Sequence, residues 1–451
     1  MTRLFGTDGV RGVANADLTA ELALDLSVAA AHVLSERGAF SGHRPRAVVG
    51  RDPRASGEFL EAAVVAGLAS AGVDVLRAGV LPTPAVAFLT AARQADLGVM
   101  LSASHNPMPD NGIKFFSRGG HKLPDEVEVQ VEDRLREPWD RPTGAAVGRV
   151  SDDTTALTDY VDHIVTCAPS RLDGLRVVVD AANGSASLTT PLALQRLGAE
   201  VVTMHASTDG LSINEGCGST HPEALQAAVV AERAHAGLAH DGDADRCLAV
   251  DETGALVDGD HILLILGLGL QRRGLLRGST VVSTVMANEG FRVALRERGI
   301  GYVDTAVGDR YVLEAMRAGG YSLGGEQSGH VVLLDHATTG DGLLTGVHLL
   351  GEVATSGRSL HDLAAVMRRL PQVLINVGGV DKARATLDPD VTAAVEQASA
   401  ELSGLGRVLL RPSGTEPVVR VMVEAPTQEQ AASVADRVAA VVTQRLALPI
   451  G

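Results

Sequence analysis

Two short segments carry most of the chemistry in this chain: Ser102-Ala103-Ser104-His105-Asn106-Pro107 and Asp241-Gly242-Asp243-Ala244-Asp245-Arg246. The first offers a hydroxyl in a loop that follows an apolar run. The second packs three carboxylates into five residues. A hydroxyl that carries a phosphate works beside a divalent cation, and such a cation takes clustered hard oxygens. Two further segments, Gly324-Gly325-Glu326-Gln327-Ser328-Gly329-His330 and Arg411-Pro412-Ser413-Gly414-Thr415-Glu416-Pro417, suit the binding of hydroxyls and of a phosphate. Together the four point to phosphoryl transfer on a phosphorylated polyol.

Each segment has a physical reason and a blander alternative. Pro107 biases Asn106 away from helical geometry, so Ser104 sits at a loop tip. A phosphoserine there brings about −1.5 to −2 charges and three strong acceptors. His105 and Lys114 lie close enough in sequence to stabilise those oxygens or move protons; a simple hydroxyl-capped turn is the alternative. Asp241, Asp243 and Asp245 alternate, so they can converge on one ion, and hard oxygens select Mg²⁺ or Ca²⁺. Arg246 can neutralise part of the cluster or reach a phosphate. An EF-hand calcium loop would use Asp241, Asp243, Asp245 and Glu252, but it needs glycine where Arg246 stands. Glu326 and Ser328, two apart, can face the same vicinal hydroxyls, unless the segment is only a glycine-rich hairpin. Around Gly414, successive N–H groups can form an anion nest with Ser413 and Thr415, and Arg411 and Arg420 add guanidinium contacts. No segment matches a Walker A phosphate loop.

These loops need elements to hold them. Short β-type runs alternate with longer helical patterns: strands at 47–49, 73–76 and 97–101 with helices at 58–71 and 84–93. The pattern returns with strands at 176–179, 200–203 and 237–240 and helices near 191–197 and 222–233. It returns again with strands at 280–283, 301–304 and 321–323 and helices near 290–298 and 311–318. Each of the three α/β units therefore ends a strand in a motif loop, where open α/β sheets place their ligands. The last section reads as α+β, with helices at 392–402 and 429–446 and strands at 406–410 and 418–423.

The 451 residues suffice for about two to four domains. Aromatics make up only 3% of the chain, so the core must be aliphatic. A net charge of −16 disfavours nucleic acid or an anionic membrane as a general partner, while leaving room for a pocket that binds a small anion. The three cysteines are widely spaced and signal neither a zinc finger nor a disulfide framework. No secretion signal or membrane span is read, so the cytoplasm is the expected compartment.

The four motifs, in this order, resemble the α-D-phosphohexomutase superfamily over the whole chain, and within it the bacterial amino-sugar branch. Residues 3–12, 101–116, 217–222, 284–288 and 308–312 are similar to that group, and Gln327 suits it. The resemblance implies an α/β fold: three successive mixed α/β sandwich domains (1–150, 151–255 and 256–370) and a smaller C-terminal α+β domain (371–451) around a central cleft. It implies that Ser104 is a phosphoserine and that Ser104, Asp241, Asp243 and Asp245 hold Mg²⁺. Arg11 and Lys114 would assist proton transfer and stabilise charge, and His105 joins them as a catalytic candidate from its place beside Ser104. Arg246, Glu326, Ser328, Arg411, Ser413, Gly414, Thr415 and Arg420 would bind the substrate. The implied reaction interconverts the 6- and 1-phosphates of a hexosamine through a sugar bisphosphate, which also activates the enzyme, and it supplies cell-wall precursor synthesis. A mobile final domain would let the intermediate turn. The alternatives are neutral hexose phosphates as substrates, a non-catalytic phosphosugar sensor, and a calcium-binding structural protein. A homodimer is left open.

Overall fold

In the computed structural model, the residues described are 3–6, 8–40, 42–402, 404–413 and 417–448. Compactness divides the chain into two units, residues 1–286 with 300–365, and residues 287–299 with 366–451.

The first unit holds three sheets. In the first, the parallel strands Arg46–Arg51, Asp74–Val80 and Leu97–Leu101 lie side by side, and the antiparallel strands Asp110–Ser117 and Gly9–Val13 extend the sheet beyond Leu97–Leu101. Residues 97–101 are all buried, which is why they read as a continuous apolar run. The helices Ala20–Glu36, Gly57–Ser70 and Thr83–Ala92 accompany this sheet. In the second sheet, Glu200–Met204, Arg176–Asp180 and Ala236–His240 are parallel, and Cys247–Asp251 runs back antiparallel to Ala236–His240. In the third, Gly301–Thr305, Thr280–Thr284 and Leu323–Gly325 are parallel, with Val331–Leu333 antiparallel at the edge.

The second unit is an antiparallel sheet, ordered Gln372–Gly378, Val418–Glu424, Arg407–Pro412, with helices Pro389–Leu402 and Gln428–Leu446. Val419, Val421 and Val423 form one core with Val434, Val438 and Val442. Helix Glu289–Glu297, expected beside the third sheet's strands, groups with this unit. Glu424 explains part of this: its buried carboxylate accepts from the Glu289 N–H at 2.8 Å and from the Arg407 guanidinium at 2.8 Å.

Several elements escaped the sequence reading. Helix Gly342–Ser356 buries twelve of its fifteen residues, so it shows no polar face to mark its period. Helix Gly259–Arg272 is similarly buried along most of its length. Helix Ala186–Arg196 starts five residues before the expected start, Pro191, which lies inside it. Leu323–Gly325 begins two residues later than the run read at 321–323. Among the described residues, no helix is long and apolar enough to cross a membrane.

Candidate active site

Strand Leu97–Leu101 delivers Ser104, whose backbone adopts φ +52°, a left-handed conformation rare outside glycine. The surroundings hold it there. Its N–H donates to Ser102 Oγ at 2.9 Å, and Ser102 Oγ donates to Asp52 at 2.6 Å. Its carbonyl accepts from Arg54 at 2.9 Å and from Asn214 Nδ2 at 2.8 Å. A side chain at Gly242 would place Cβ 2.6 Å from that same carbonyl oxygen, so the acidic loop needs glycine between its first two aspartates.

The acidic loop is the turn between antiparallel strands Ala236–His240 and Cys247–Asp251. No helix precedes it. Glu252 follows the far end of the second strand, roughly 17 Å along a five-residue strand from the turn. That rules out the EF-hand arrangement. Asp241, Asp243 and Asp245 are all buried and bring their oxygens within 4.8 Å of one another. Ser104 Oγ donates to Asp241 Oδ2 at 2.6 Å, and Thr83 Oγ1 donates to Asp243 Oδ2 at 2.5 Å. Asp243 Oδ1 and Asp245 Oδ1 are buried with no hydrogen-bond partner. Three crowded carboxylates with two vacant buried oxygens fit a hard divalent cation. Burial, and then the negative Asp245 and Asp243, push the Asp241 carboxyl up to about 8.

Lys114, on strand Asp110–Ser117, donates from Nζ to Asp243 at 2.8 Å and contacts Asp8 at 2.7 Å. It thus sits against the acids. A closed ring of alternating charge continues from it. Asp8 meets Lys122 at 2.7 Å, and Lys122 pairs with Asp309. Asp309 lies 3.7 Å from His330, His330 lies 3.6 Å from Asp245, and Asp245 lies 4.0 Å from Lys114. Arg11 also pairs with Asp8. Burial works against the Asp8 carboxylate, but Lys114, Lys122 and Arg11 outweigh it and hold the group well below its usual range. Burial likewise opposes charge on His330, yet Asp245 and Asp309 raise it to about 9.

A cavity of about 320 Å³ opens over these groups, lined in part by Asp8, Arg11, His105, Asp245, Arg246, Asp309, Glu326 and His330. His105 Nδ1 is 3.3 Å from Ser104 Oγ. Burial, then Arg246 and Arg11, lower its pKa to about 4, so the ring is neutral at pH 7. The Nε atoms of Arg11 and Arg246 are buried without a hydrogen-bond partner, a donor pair suited to an anionic ligand. Glu326, in the tight connection from Leu323–Gly325 to Val331–Leu333, accepts from the Gly308 N–H at 3.0 Å. Ser328, two residues on in the same connection, has a buried, unpartnered Oγ. The Gln327 amide donates to Asp258 at 3.3 Å.

Arg411, Ser413 and Arg420 lie in the second unit. Arg411 and Arg420 stand directly opposite on paired strands, a like-charge juxtaposition that an anion would relieve. Burial and then Arg420 lower the Arg411 pKa. The Ser413 carbonyl accepts from Lys382 Nζ at 2.9 Å. Gly414 and Thr415 lie outside the described residues.

Sequence reasoning missed Asp8, Arg54, Lys122, Asn214 and Asp309. Asp8 and Asp309 stand within quoted motifs, whereas Arg54, Lys122 and Asn214 carry no spacing signal at all.

Comparison with known proteins covers the whole chain. It matches phosphoglucomutase/phosphomannomutase alpha/beta/alpha domain I over residues 2–140, domain II over 158–254, domain III over 258–370 and the C-terminal domain over 374–441. It is 67% identical over 444 residues to phosphoglucosamine mutase from Streptomyces coelicolor, covering 97% of this chain and 98% of that one. It is also 67% identical to phosphoglucosamine mutase from Acidothermus cellulolyticus, covering 98% and 96%. A phosphoglucomutase/phosphomannomutase family protein from Burkholderia thailandensis superposes with a TM-score of 0.83 at 26% identity, covering all of both chains. The Aspergillus fumigatus N-acetylphosphoglucosamine mutase, solved with GlcNAc-6P and magnesium, shares the fold at TM-score 0.67 and 18% identity, covering 98% of this chain and 95% of that one. The chain therefore belongs to the phosphoglucomutase/phosphomannomutase family and, within it, groups with the phosphoglucosamine mutases.

Proposed function

We propose that this chain interconverts glucosamine 6-phosphate and glucosamine 1-phosphate through a phosphorylated Ser104 and a glucosamine bisphosphate intermediate. The observation that carries the reading is the 2.6 Å hydrogen bond from Ser104 Oγ to Asp241, inside a buried carboxylate triad beside an arginine-lined cavity. The names of relatives at 62–67% identity support the substrate.

In this reading Asp241, Asp243, Asp245 and the Ser104 phosphate hold Mg²⁺, which supplies neutralising charge to the phosphoryl group. Ser104, fixed in its strained loop, presents the phosphoryl group to the free sugar hydroxyl. Lys114 and Arg11 stabilise the charge that spreads over the phosphoryl oxygens, as phosphoryl transfer requires. His105, neutral and next to Oγ, is placed to take up a proton. Glu326 and Ser328 contact sugar hydroxyls, and Arg246 reaches the phosphosugar. Arg411, Ser413, Gly414, Thr415 and Arg420 hold the phosphate that is not reacting. After the first transfer the bisphosphate reorients, and its other phosphate returns to Ser104. A sugar bisphosphate also primes the enzyme.

The organisation that suits this cycle is four domains, 1–150, 151–255, 256–370 and 371–451, each contributing one loop: phosphoserine, metal, sugar and phosphate. The cytoplasm suits it as well, since Cys167, Cys217 and Cys247 are all free thiols. The product would feed amino-sugar nucleotide and cell-wall precursor synthesis.

The test is the rate of 1-phosphate formation from glucosamine 6-phosphate with Mg²⁺, beside glucose and mannose 6-phosphates, on enzyme primed with a sugar bisphosphate. The expected result is a clear preference for the amino sugar, abolished in Ser104→Ala. A preference for glucose or mannose 6-phosphate would move the chain to neutral hexoses. Turnover that survives Ser104→Ala would overturn the phosphoserine.

A further inference from the structure

A second cluster of ligand-type side chains lies in the first unit and shares no residue with the aspartate triad. Asp180 ends strand Arg176–Asp180, His205 follows strand Glu200–Met204, and Cys217 opens the short turn at 218–220. One oxygen, one ring nitrogen and the thiol sulfur lie within 4.8 Å of one another. We propose that Asp180, His205 and Cys217 form a second metal site, one that takes a borderline-soft divalent ion of the Zn²⁺ class rather than Mg²⁺.

The donor set decides the class. Oxygen, imidazole and thiolate together suit Zn²⁺ and its heavier congener Cd²⁺, whereas Mg²⁺ takes oxygen alone. Three protein ligands leave a fourth position open to water.

The three groups are held in advance. Asp180 accepts from the Ala182 N–H at 2.9 Å and the Gly218 N–H at 3.0 Å, and its Oδ2 lies 2.9 Å from His205 Nδ1. Ala182, Asn183 and His205 all adopt left-handed backbone, at φ +55°, +48° and +47°. Three such non-glycine residues beside one cluster are the kind of strain that functional sites retain. Cys217 is fully buried, and Asn183 Nδ2 donates to its Sγ over a long 3.9 Å. The His205 side chain is 31% exposed, so an ion reaches the cluster from the imidazole side.

Binding balances simply. The Cys217 thiol releases its proton to solvent, which its burial otherwise resists by raising the thiol to about 12. To offer the Nδ1 lone pair to the ion, His205 shifts the proton that Nδ1 shares with Asp180 to Nε2, a move within the ring that releases nothing. One proton leaves per ion bound, and nothing is oxidised or reduced. His205 and Cys217 bracket the segment that carries Asn214, so the ion would fix both ends of the loop that holds the Ser104 carbonyl.

The test uses the full-length protein, stripped with a chelator, returned to excess Mg²⁺ and titrated with Cd²⁺. The readout is the ultraviolet charge-transfer band of a cadmium–thiolate bond. One equivalent should give the band, and Zn²⁺ should displace it. Cys217→Ser should lose the band while keeping Mg²⁺-dependent turnover. His205→Gln should weaken Cd²⁺ by about 10–100-fold or more, since losing even an outer-shell partner costs that much. Cys167→Ser, remote from the cluster in sequence, should keep the band, which serves if Cys217→Ser fails to fold. Absence of a band in the native protein would overturn the site. So would a band that survives Cys217→Ser or is lost in Cys167→Ser.

Discussion

The buried guanidinium of Arg54 donates to the carbonyl oxygen of Ser104 at 2.9 Å. The same group reaches the carbonyls of Asn106 at 2.8 Å, Pro107 at 2.6 Å and Asp110 at 3.0 Å, and pairs with Asp52 at 2.9 Å. One side chain therefore fixes the whole loop on which Ser104 stands.

Arg54→Met removes the buried cation that pairs with Asp52 and takes one donor from each of four carbonyls. Removing one partner of a buried ion pair costs about 3–5 kcal/mol, so the urea midpoint should fall markedly. Where the variant is still folded, kcat should drop about 100-fold, the scale of a 1 Å misplacement. An unchanged midpoint would contradict the clamp.

Lys122 joins Asp8 to Asp309 in the charged ring and acts on the chemistry only through its neighbours. Lys122→Met should reduce kcat by about 100-fold with little change in KM, because it disturbs the placement of Lys114 and not the sugar contacts. Steady-state kinetics separates the two. A rise in KM alone would make Lys122 a substrate ligand.

The vacant oxygens of Asp243 and Asp245 make cation removal informative. Chelation should abolish turnover, and Mg²⁺ should restore it. Asp245→Asn should raise the Mg²⁺ concentration needed for half-maximal rate. Turnover indifferent to chelator would remove the metal from the triad.

His348 is buried in helix Gly342–Ser356, and burial, then His336 and Arg273, lower it to about 3. Its ordinary value is near 6.5, so folding favours the neutral form. That contribution is present above about pH 6.5 and is lost as pH falls toward 3. The loss is about 1.4 kcal/mol per pH unit in that window. His348→Leu should flatten the fall of Tm with acidity between pH 6.5 and 4.5. An identical slope in both proteins would assign acid sensitivity to other groups.

Glu424 ties residues 287–299 into the second unit. Glu424→Ala removes the carboxylate that pairs with Arg407 and accepts the Glu289 N–H, and it should lower stability by about 3–5 kcal/mol. Protease sensitivity should rise first near residues 287–299. Equal cleavage there in both proteins would show that other contacts hold the segment.

Much of this protein was legible without coordinates. Apolar runs announced strands such as Arg46–Arg51, Leu97–Leu101 and Ala236–His240 because these are buried on both faces, and strand ends marked the loops at Ser104, Asp241 and Glu326. Residue type alone gave the carboxylate triad, since close spacing along one loop guarantees closeness in space. What the sequence did not determine depends on packing between distant segments. Helix Gly342–Ser356 is apolar nearly all round, so no polar stripe betrayed it. Asp8, Lys122 and Asp309 stand far apart in the chain, and only the folded sheets bring their charges together, as they bring Arg54 to the Ser104 loop. The left-handed backbone of Ser104 is likewise a tertiary product: a serine does not adopt it for its own sake, and the bonds from Arg54, Asn214 and Ser102 hold it in place.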